Sequence, residues 1–439
     1  METERKTLTQ LSVPICLETL FYMLSGMVDT LMLSSVSDQA VGAVGTANTY
    51  IGVFIIMFGV ISSGMVAVMS QNIGAGKPGI AYQARQLGLV FNALTGILMS
   101  FILAAFSGWI LKIVSIAPAL LEPAETYLKI VGGASFLNAL IPIFSSYLRV
   151  FGYTKHSLIG TVVGNVINII LNSVFLFVFH WGVMGVATAT VISKVVNLII
   201  VAAMGAVLIK AKQSPERAQP RRILAQIVKI GFPSAFETAL YNVAMTFIVC
   251  FMNHMDTDGM NVTARSYAMQ IANFSYCVGA ALAQANAIMT GWRIGAKKYE
   301  ECDRGTRKAV IYGLVTATCF SVTFAITGRF IVHIFTNDIQ MIELVVKLLV
   351  VDIFLEFGRV TNLVYGQALK TSGDAIFPVI MGAIFMYLFA VGGTYFLGIH
   401  MGLLAVGAYI AMAGDECARA VGMVIRWKSG KWKSKSLVE

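Results

Sequence analysis

Residues 185–208 read Gly185-Val-Ala-Thr-Ala-Thr190-Val-Ile-Ser-Lys194-Val-Val-Asn-Leu-Ile-Ile-Val-Ala-Ala-Met-Gly-Ala-Val-Leu208. A run of this length with one charge crosses a hydrocarbon core of about 30 Å as a helix rising about 1.5 Å per residue. It is continuously apolar, whereas a barrel strand would show about ten residues of alternation. Comparable runs recur on both sides and predict twelve spans, at 10–33, 43–69, 88–111, 126–148, 159–179, 185–208, 227–250, 264–289, 309–330, 344–369, 377–397 and 405–425. The expected fold is an all-α polytopic membrane protein, and the composition agrees. Of 439 residues, 57% are hydrophobic and 12% charged, against about a quarter charged in soluble domains. No sizeable soluble domain fits between the spans. The first run carries Asp29, is too long for a signal-peptide core and lacks a small-residue cleavage site, so it is expected to be retained. The six cysteines form no C-x-x-C pair, which argues against a metal or redox motif.

The net charge of +10 sits in short loops, where it sets orientation rather than binding nucleic acid. Twenty-four Lys and Arg fall on the side of the N-terminus and five (Lys112, Lys129, Arg265, Arg329, Lys347) on the other, with Lys194, Arg359 and Arg419 inside spans. Both termini are therefore expected in the cytoplasm. Short matches also recur at an offset near 220. Pro14-Ile-Cys-Leu-Glu18-Thr19 echoes Pro233-Ser-Ala-Phe-Glu237-Thr238, and Ile73-Gly-Ala75 echoes Ile294-Gly-Ala296. Leu148-Arg149 with Gly152 echoes Leu369-Lys370 with Gly373, and Gly182 with Val186 echoes Gly402 with Val406. The repeat predicts two parallel six-helix lobes, 1–209 and 227–425, joined by a cytoplasmic linker at 210–226 and followed by a basic cytoplasmic tail at 426–439. The tail, with Trp432 among its lysines, reads as a segment drawn to anionic headgroups.

Ionisable side chains at membrane depth cost about 2.5–3.5 kcal/mol each and therefore face a cavity or a partner. In the first half the candidates are Asp29 and the fifth-span Asn165, Asn168 and Asn172, whose spacing puts them on one helical face. With a hydroxyl such as Thr190, a carboxylate facing amide oxygens has the donor set to hold Na⁺; alternatively Asp29 titrates alone. Lys194 is either its counterion or snorkels to the interface. In the second half, Asp352, Glu356 and Arg359 share a face of the tenth span, and Asp415, Glu416 and Arg419 lie on the twelfth. Glu237 on the seventh adds another acid. The two arginines are expected to pair with acids and pin helices. Acids left unpaired are the better coupling candidates, because burial in low dielectric favours the protonated carboxylate and a neighbouring Arg the ionised one. Glu18 is expected beside the inner vestibule, like Glu237.

Met27-Val-Asp29-Thr30-Leu31, Gln71-Asn-Ile-Gly74-Ala-Gly76, Leu148-Arg149-Val-Phe-Gly152, Asn165-Val-Ile-Asn168-Ile-Ile-Leu-Asn172, Gly182-Val-Met-Gly185-Val-Ala187 and Gly373-Asp374-Ala-Ile-Phe-Pro378 together resemble the bacterial multidrug and toxic compound extrusion (MATE) family over nearly the whole chain. The resemblance implies two six-helix lobes and export of amphipathic, often cationic drugs in exchange for H⁺ or Na⁺. By the same resemblance Asp29 falls on the family's acidic residue of the first helix, Asn168 and Asn172 on its polar pair in the fifth, and Thr190 on the hydroxyl of the sixth. Some branches carry Asp where this chain has Asn172.

The leading expectation is a secondary antiporter, not an enzyme, working by alternating access as a monomer in the bilayer on a small-molecule substrate, with no cofactor. No G-x-x-x-x-G-K-[ST] loop is present to bind ATP. A lipid-linked oligosaccharide flippase of the same broad superfamily is the alternative and predicts a strongly cationic cavity. A channel or receptor is disfavoured by titratable groups repeated in both halves.

Overall fold

A computed structural model describes residues 6–113, 116–256 and 259–438. Arg5 of the basic count and the chain end Glu439 lie outside the described residues. Twelve long helical segments follow one another: α1 (Leu8–Ser34), α2 (Asp38–Gly74), α3 (Pro78–Ala105), the bent α4 (Pro118–Gly132 with Phe136–Val150), α5 (Thr154–Val178), α6 (Gly182–Leu208), α7 (Pro220–Asn253), α8 (Met260–Gly295), α9 (Tyr299–His333), α10 (Ile339–Ser372), α11 (Ile376–His400) and α12 (Leu404–Lys428). With no water in the bilayer to satisfy backbone groups, a helix is favoured because it pairs its backbone groups within the segment. Eight of these segments are individually long and apolar enough to cross a membrane, and α4 becomes a ninth if its two pieces, bent by 42°, are one span. The remaining three, α8, α10 and α12, are too polar to qualify by composition. They are also the helices with the longest rolls of buried residues in their half, so their polar groups meet protein rather than lipid.

The chain separates into two compact units, Met1–Phe232 and Pro233–Glu439. In the first, α1 packs on α5, α2 on α3 and α5 on α6. Two glycines permit a close crossing: a Cβ built on Gly231 of α7 would meet the Val60 carbonyl of α2 at 1.7 Å, and one on Gly64 would meet the Ile227 carbonyl at 2.0 Å. The first turns of α7 thus lie backbone against backbone on α2. The segment before α7 is strapped to α3: Gln83 donates to the Ala218 carbonyl (2.8 Å) and accepts from the Ala218 amide (3.1 Å). In the second unit, α8, α10 and α12 enclose a core that includes Leu348, Leu355, Tyr409 and Met412.

The repeat is visible as turn chemistry. After α4, Gly152 has φ +85°, and the Gly152 and Tyr153 amides donate to the Arg149 and Leu148 carbonyls. After α10, Gly373 has φ +99°, and the Gly373 and Asp374 amides donate to the Lys370 and Leu369 carbonyls. Both helices end in the same left-handed cap, which glycine adopts without a Cβ penalty. The equivalent cap after α2 uses Gly76 (φ +73°), whereas after α8 it forces Lys297 into φ +57°.

The C-terminal segment departs from the expected headgroup-facing tail. It folds back on the second unit, with Trp432 only 1% exposed, stacked on Trp427 at 4.2 Å between ring centroids. The Trp432 indole N–H donates to the Trp427 carbonyl (2.9 Å), and Lys435 pairs with Asp374 at 2.7 Å. Indole burial outweighs headgroup attraction because the residue brings a large apolar surface and a satisfied donor.

Candidate functional site

In the first unit, Asp29 lies on the α1 face that meets α5. Asn172 Nδ2 donates to Asp29 Oδ1 at 2.6 Å and to Asn168 Oδ1 at 3.3 Å. Asn172 Oδ1 is buried with no hydrogen-bond partner. Asn165 departs from the expected trio: its Nδ2 donates to the Phe21 carbonyl at 2.7 Å, about two turns nearer the start of α1. The helical spacing is as expected, but α1 crosses α5 so that Asn172 reaches the carboxylate, with Asn168 joined to it through Asn172. The Thr190 hydroxyl donates to the Val186 carbonyl (2.8 Å) and lies against the hydroxyl of buried Tyr127, which also reaches Asn48 and feels the charge of Asp29. Lys194 follows neither expected course: Nζ donates to Asn138 Oδ1 at 2.9 Å, and Asp29 acts on it at longer range. Asp29 is therefore held by an amide, with a cation in the neighbourhood but not in contact. Oxygens of Asp29 and Asn168 converge on the Asn172 amide nitrogen, so in this arrangement an N–H occupies the place between them, and the carboxylate itself suits a proton or a cation.

Tyr127, Asn48 and Asn138 were not singled out in the sequence. All three are single polar residues in or beside apolar runs, and nothing in their spacing distinguishes them from interhelical hydrogen-bond glue.

In the second unit, the charged residues of α10 and α12 form one network. Arg359 Nη1 donates to Glu356 Oε1 and Nε lies 3.7 Å from Glu416 Oε1. Arg419 grips Asp415 through both oxygens, at 3.0 and 2.6 Å, and reaches Glu416 at 2.9 Å. Asn362 donates to the other Glu416 oxygen at 2.9 Å. Glu237 of α7 pairs with Lys370 at 2.5 Å. The repeat has a counterpart, Glu18 with Arg149 at 2.7 Å; both pairs join residues already matched in sequence, so this bridge was legible there. Asp352, 3% exposed, has neither a hydrogen bond nor an ion pair among the described residues.

Arg265 corrects the sequence reading most. Counted there with the basic residues of the outer side, it is only 8% exposed, inside α8. With it and Lys370, five carboxylates meet four cations, and the acid surplus inferred from α10 and α12 alone shrinks to one. Seven of these groups, the acids Glu237, Asp352 and Glu416 and the bases Arg265, Arg359, Lys370 and Arg419, line a cavity of about 400 Å³, while Glu356 and Asp415 stand behind the two arginines.

The MatE family model matches residues 14–174 and 233–396, the two halves separately and most of the chain. The chain belongs to the MATE family. It is a membrane transporter, then, and not an enzyme. It is 32% identical over 437 residues to the uncharacterized transporter YisQ of Bacillus subtilis, covering 98% of this chain and 96% of that protein. It is 25% identical to the probable multidrug resistance protein NorM of Thermotoga maritima, covering 99% and 94%. It is 22% identical to the multidrug export protein MepA of Staphylococcus aureus, covering 96% and 93%. Among solved MATE structures, the outward-facing conformation of a multidrug resistance transporter of the MOP superfamily superimposes with a TM-score of 0.87 at 18% identity, covering 97% and 95%. A Vibrio cholerae MATE transporter, VcmN, does so with 0.88 at 19%, covering 97% and 98%. At such identity the likeness carries the fold alone.

Proposed function

We propose that this MATE transporter is a secondary antiporter that exports amphipathic, often cationic drugs or metabolites in exchange for H⁺ or Na⁺. Its N-terminal (1–209) and C-terminal (227–425) lobes provide alternating access, the chain acting as a monomer in the bacterial inner membrane with both termini in the cytoplasm. The observation that carries this reading is Asp29, a membrane-depth carboxylate held by Asn172 rather than by a cation. A structural acid at that depth is normally neutralised by a contacting base, whereas a coupling acid must be able to give up and regain its cation. The names of similar proteins, a multidrug export protein among them, agree with export. The near balance of acids and bases around the second unit's cavity gives no support to an oligosaccharide flippase, which needs a strongly cationic one.

The test is transport by the purified protein in proteoliposomes with pH and Na⁺ gradients imposed one at a time. Antiport predicts that one gradient drives dansylcadaverine, a fluorescent amphipathic cation, against its own gradient. Failure of both gradients to move any amphipathic cation would overturn the proposal.

A further inference from the structure

Resting on the transporter reading above, we propose that the cavity of the second unit binds an amphipathic zwitterion, its carboxylate received by Arg265 and its ammonium by Asp352. The argument starts from what each charged group in the cavity already holds. Glu237 is occupied by Lys370, and Glu416 by Arg359, Arg419 and Asn362. Those partners are occupied in return.

Two buried groups are left over, and they have opposite charges. Among the described residues the guanidinium of Arg265 meets only the Met245 thioether, 3.7 Å from Nη2, and its Nε has no partner. A thioether is a weak acceptor, so most of five donors remain unspent on a residue 92% removed from solvent. Asp352, 3% exposed, makes no hydrogen bond or ion pair among the described residues, and Arg359, already held by Glu356 and Glu416, acts on it only from beyond contact. Arg265 and Asp352 both line the same cavity, together with buried Tyr409. No salt bridge joins them among the described residues.

A buried charge without a partner is costly. A simple cation would satisfy Asp352 and strand Arg265, and a simple anion would do the reverse. A zwitterion satisfies both, with the planar guanidinium taking the carboxylate through two parallel hydrogen bonds. The rest of the lining is adaptable and apolar, including Met245, Met269, Leu355, Met386 and Met412, which suits an amphipathic body of variable shape. A volume of about 400 Å³ lies within the usual range for small-ligand sites.

Three fluorescent probes share one aromatic body and differ in charge: dansyl-lysine is a zwitterion, dansylcadaverine a cation and dansyl-aminocaproate an anion. Binding to the full-length protein in nanodiscs is followed by dansyl fluorescence. Dansyl-lysine is expected to bind about tenfold more tightly than either of the others, which corresponds to one additional charge-assisted contact. Arg265→Gln is expected to bring dansyl-lysine to the affinity of the cation, Asp352→Asn to that of the anion, and Arg265→Lys to retain most of the preference. Equal affinities for the three probes in the parent protein, or variants that weaken all three alike, would overturn the proposal. The parent's ranking decides the matter even where a variant fails to fold. Gradient-driven transport is measured separately, so a protein that ranks the probes as expected but couples to neither ion would overturn the antiport reading and leave this one standing.

Discussion

At the scale of single residues, the membrane-depth charges fall into those held and those not held by an opposite charge. Asp29 and Asp352 are in the second group, and each is expected to tolerate its amide isostere in folding. Asp29→Asn keeps the shape that faces Asn172 and removes only the charge. It is expected to lower coupled export at least about tenfold, a loss of about 1.4 kcal/mol of coupling, with expression and elution profile unchanged. Export at the parental rate across all pH values would make Asp29 a structural residue. Arg419 is the contrasting case, since its removal strands Asp415 and takes from Glu416 its nearest cation. Arg419→Ala is expected to cost roughly 3–5 kcal/mol and to appear as a sharp fall in monodisperse protein, whereas Asp352→Asn is expected to leave the yield intact. The Glu18–Arg149 and Glu237–Lys370 pairs were readable because a repeat aligns both partners. Arg265 was not, because a basic residue near a helix end looks the same in sequence whether it faces a loop or a buried cavity.

Among the elements, two contacts decide how segments are held. The α2–α7 crossing depends on Gly64 and Gly231, where a single Cβ already overlaps the opposing carbonyl. Gly231→Leu is expected to force the helices apart and leave little folded protein, as judged by fluorescence size exclusion. A normal profile would show that the crossing gives way cheaply. The returning C-terminal segment is held through Asp374, which lies in the turn between α10 and α11 with a fully buried side chain. Burial alone would raise its pKa, but hydrogen bonds from Arg426 and Lys435, with their charges, outweigh this and hold it below its ordinary 3.8. A depressed acid contributes stability that is present above its unfolded pKa and is lost as pH falls through the folded one. The segment is therefore expected to stay docked from neutral pH to below about pH 4. Hydrogen exchange of Lys431–Lys435, corrected for intrinsic rates, is expected to be as protected at about pH 5 as at about pH 7, and Asp374→Asn to reduce that protection at both. Release of the parent's segment at the higher of these acidities would contradict the assignment.

For the molecule as a whole, the asymmetry of 24 basic residues against four, once buried Arg265 is set aside, predicts that tags within Lys210–Arg222 are reachable only from the cytoplasm. Labelling of such tags from outside intact cells would reverse the orientation. The class of fold, the positions of the helices and the twofold repetition were determined by the sequence itself. Continuous apolar runs admit no other spanning structure, and matched caps such as those at Gly152 and Gly373 are local chemistry. Only the tertiary structure decided which charges meet. Helical spacing puts Asn165, Asn168 and Asn172 on one stripe, but the crossing of α1 and α5 gives Asp29 a direct bond from Asn172 alone. Composition marks Lys428–Lys435 as membrane-attracted, but Trp427 and Asp374 give Trp432 and Lys435 better partners within the fold. Periodicity fixes the face of a helix on which a side chain lies, whereas pairing depends on what the neighbouring helix brings to that height, and that is set by packing between segments far apart in the chain.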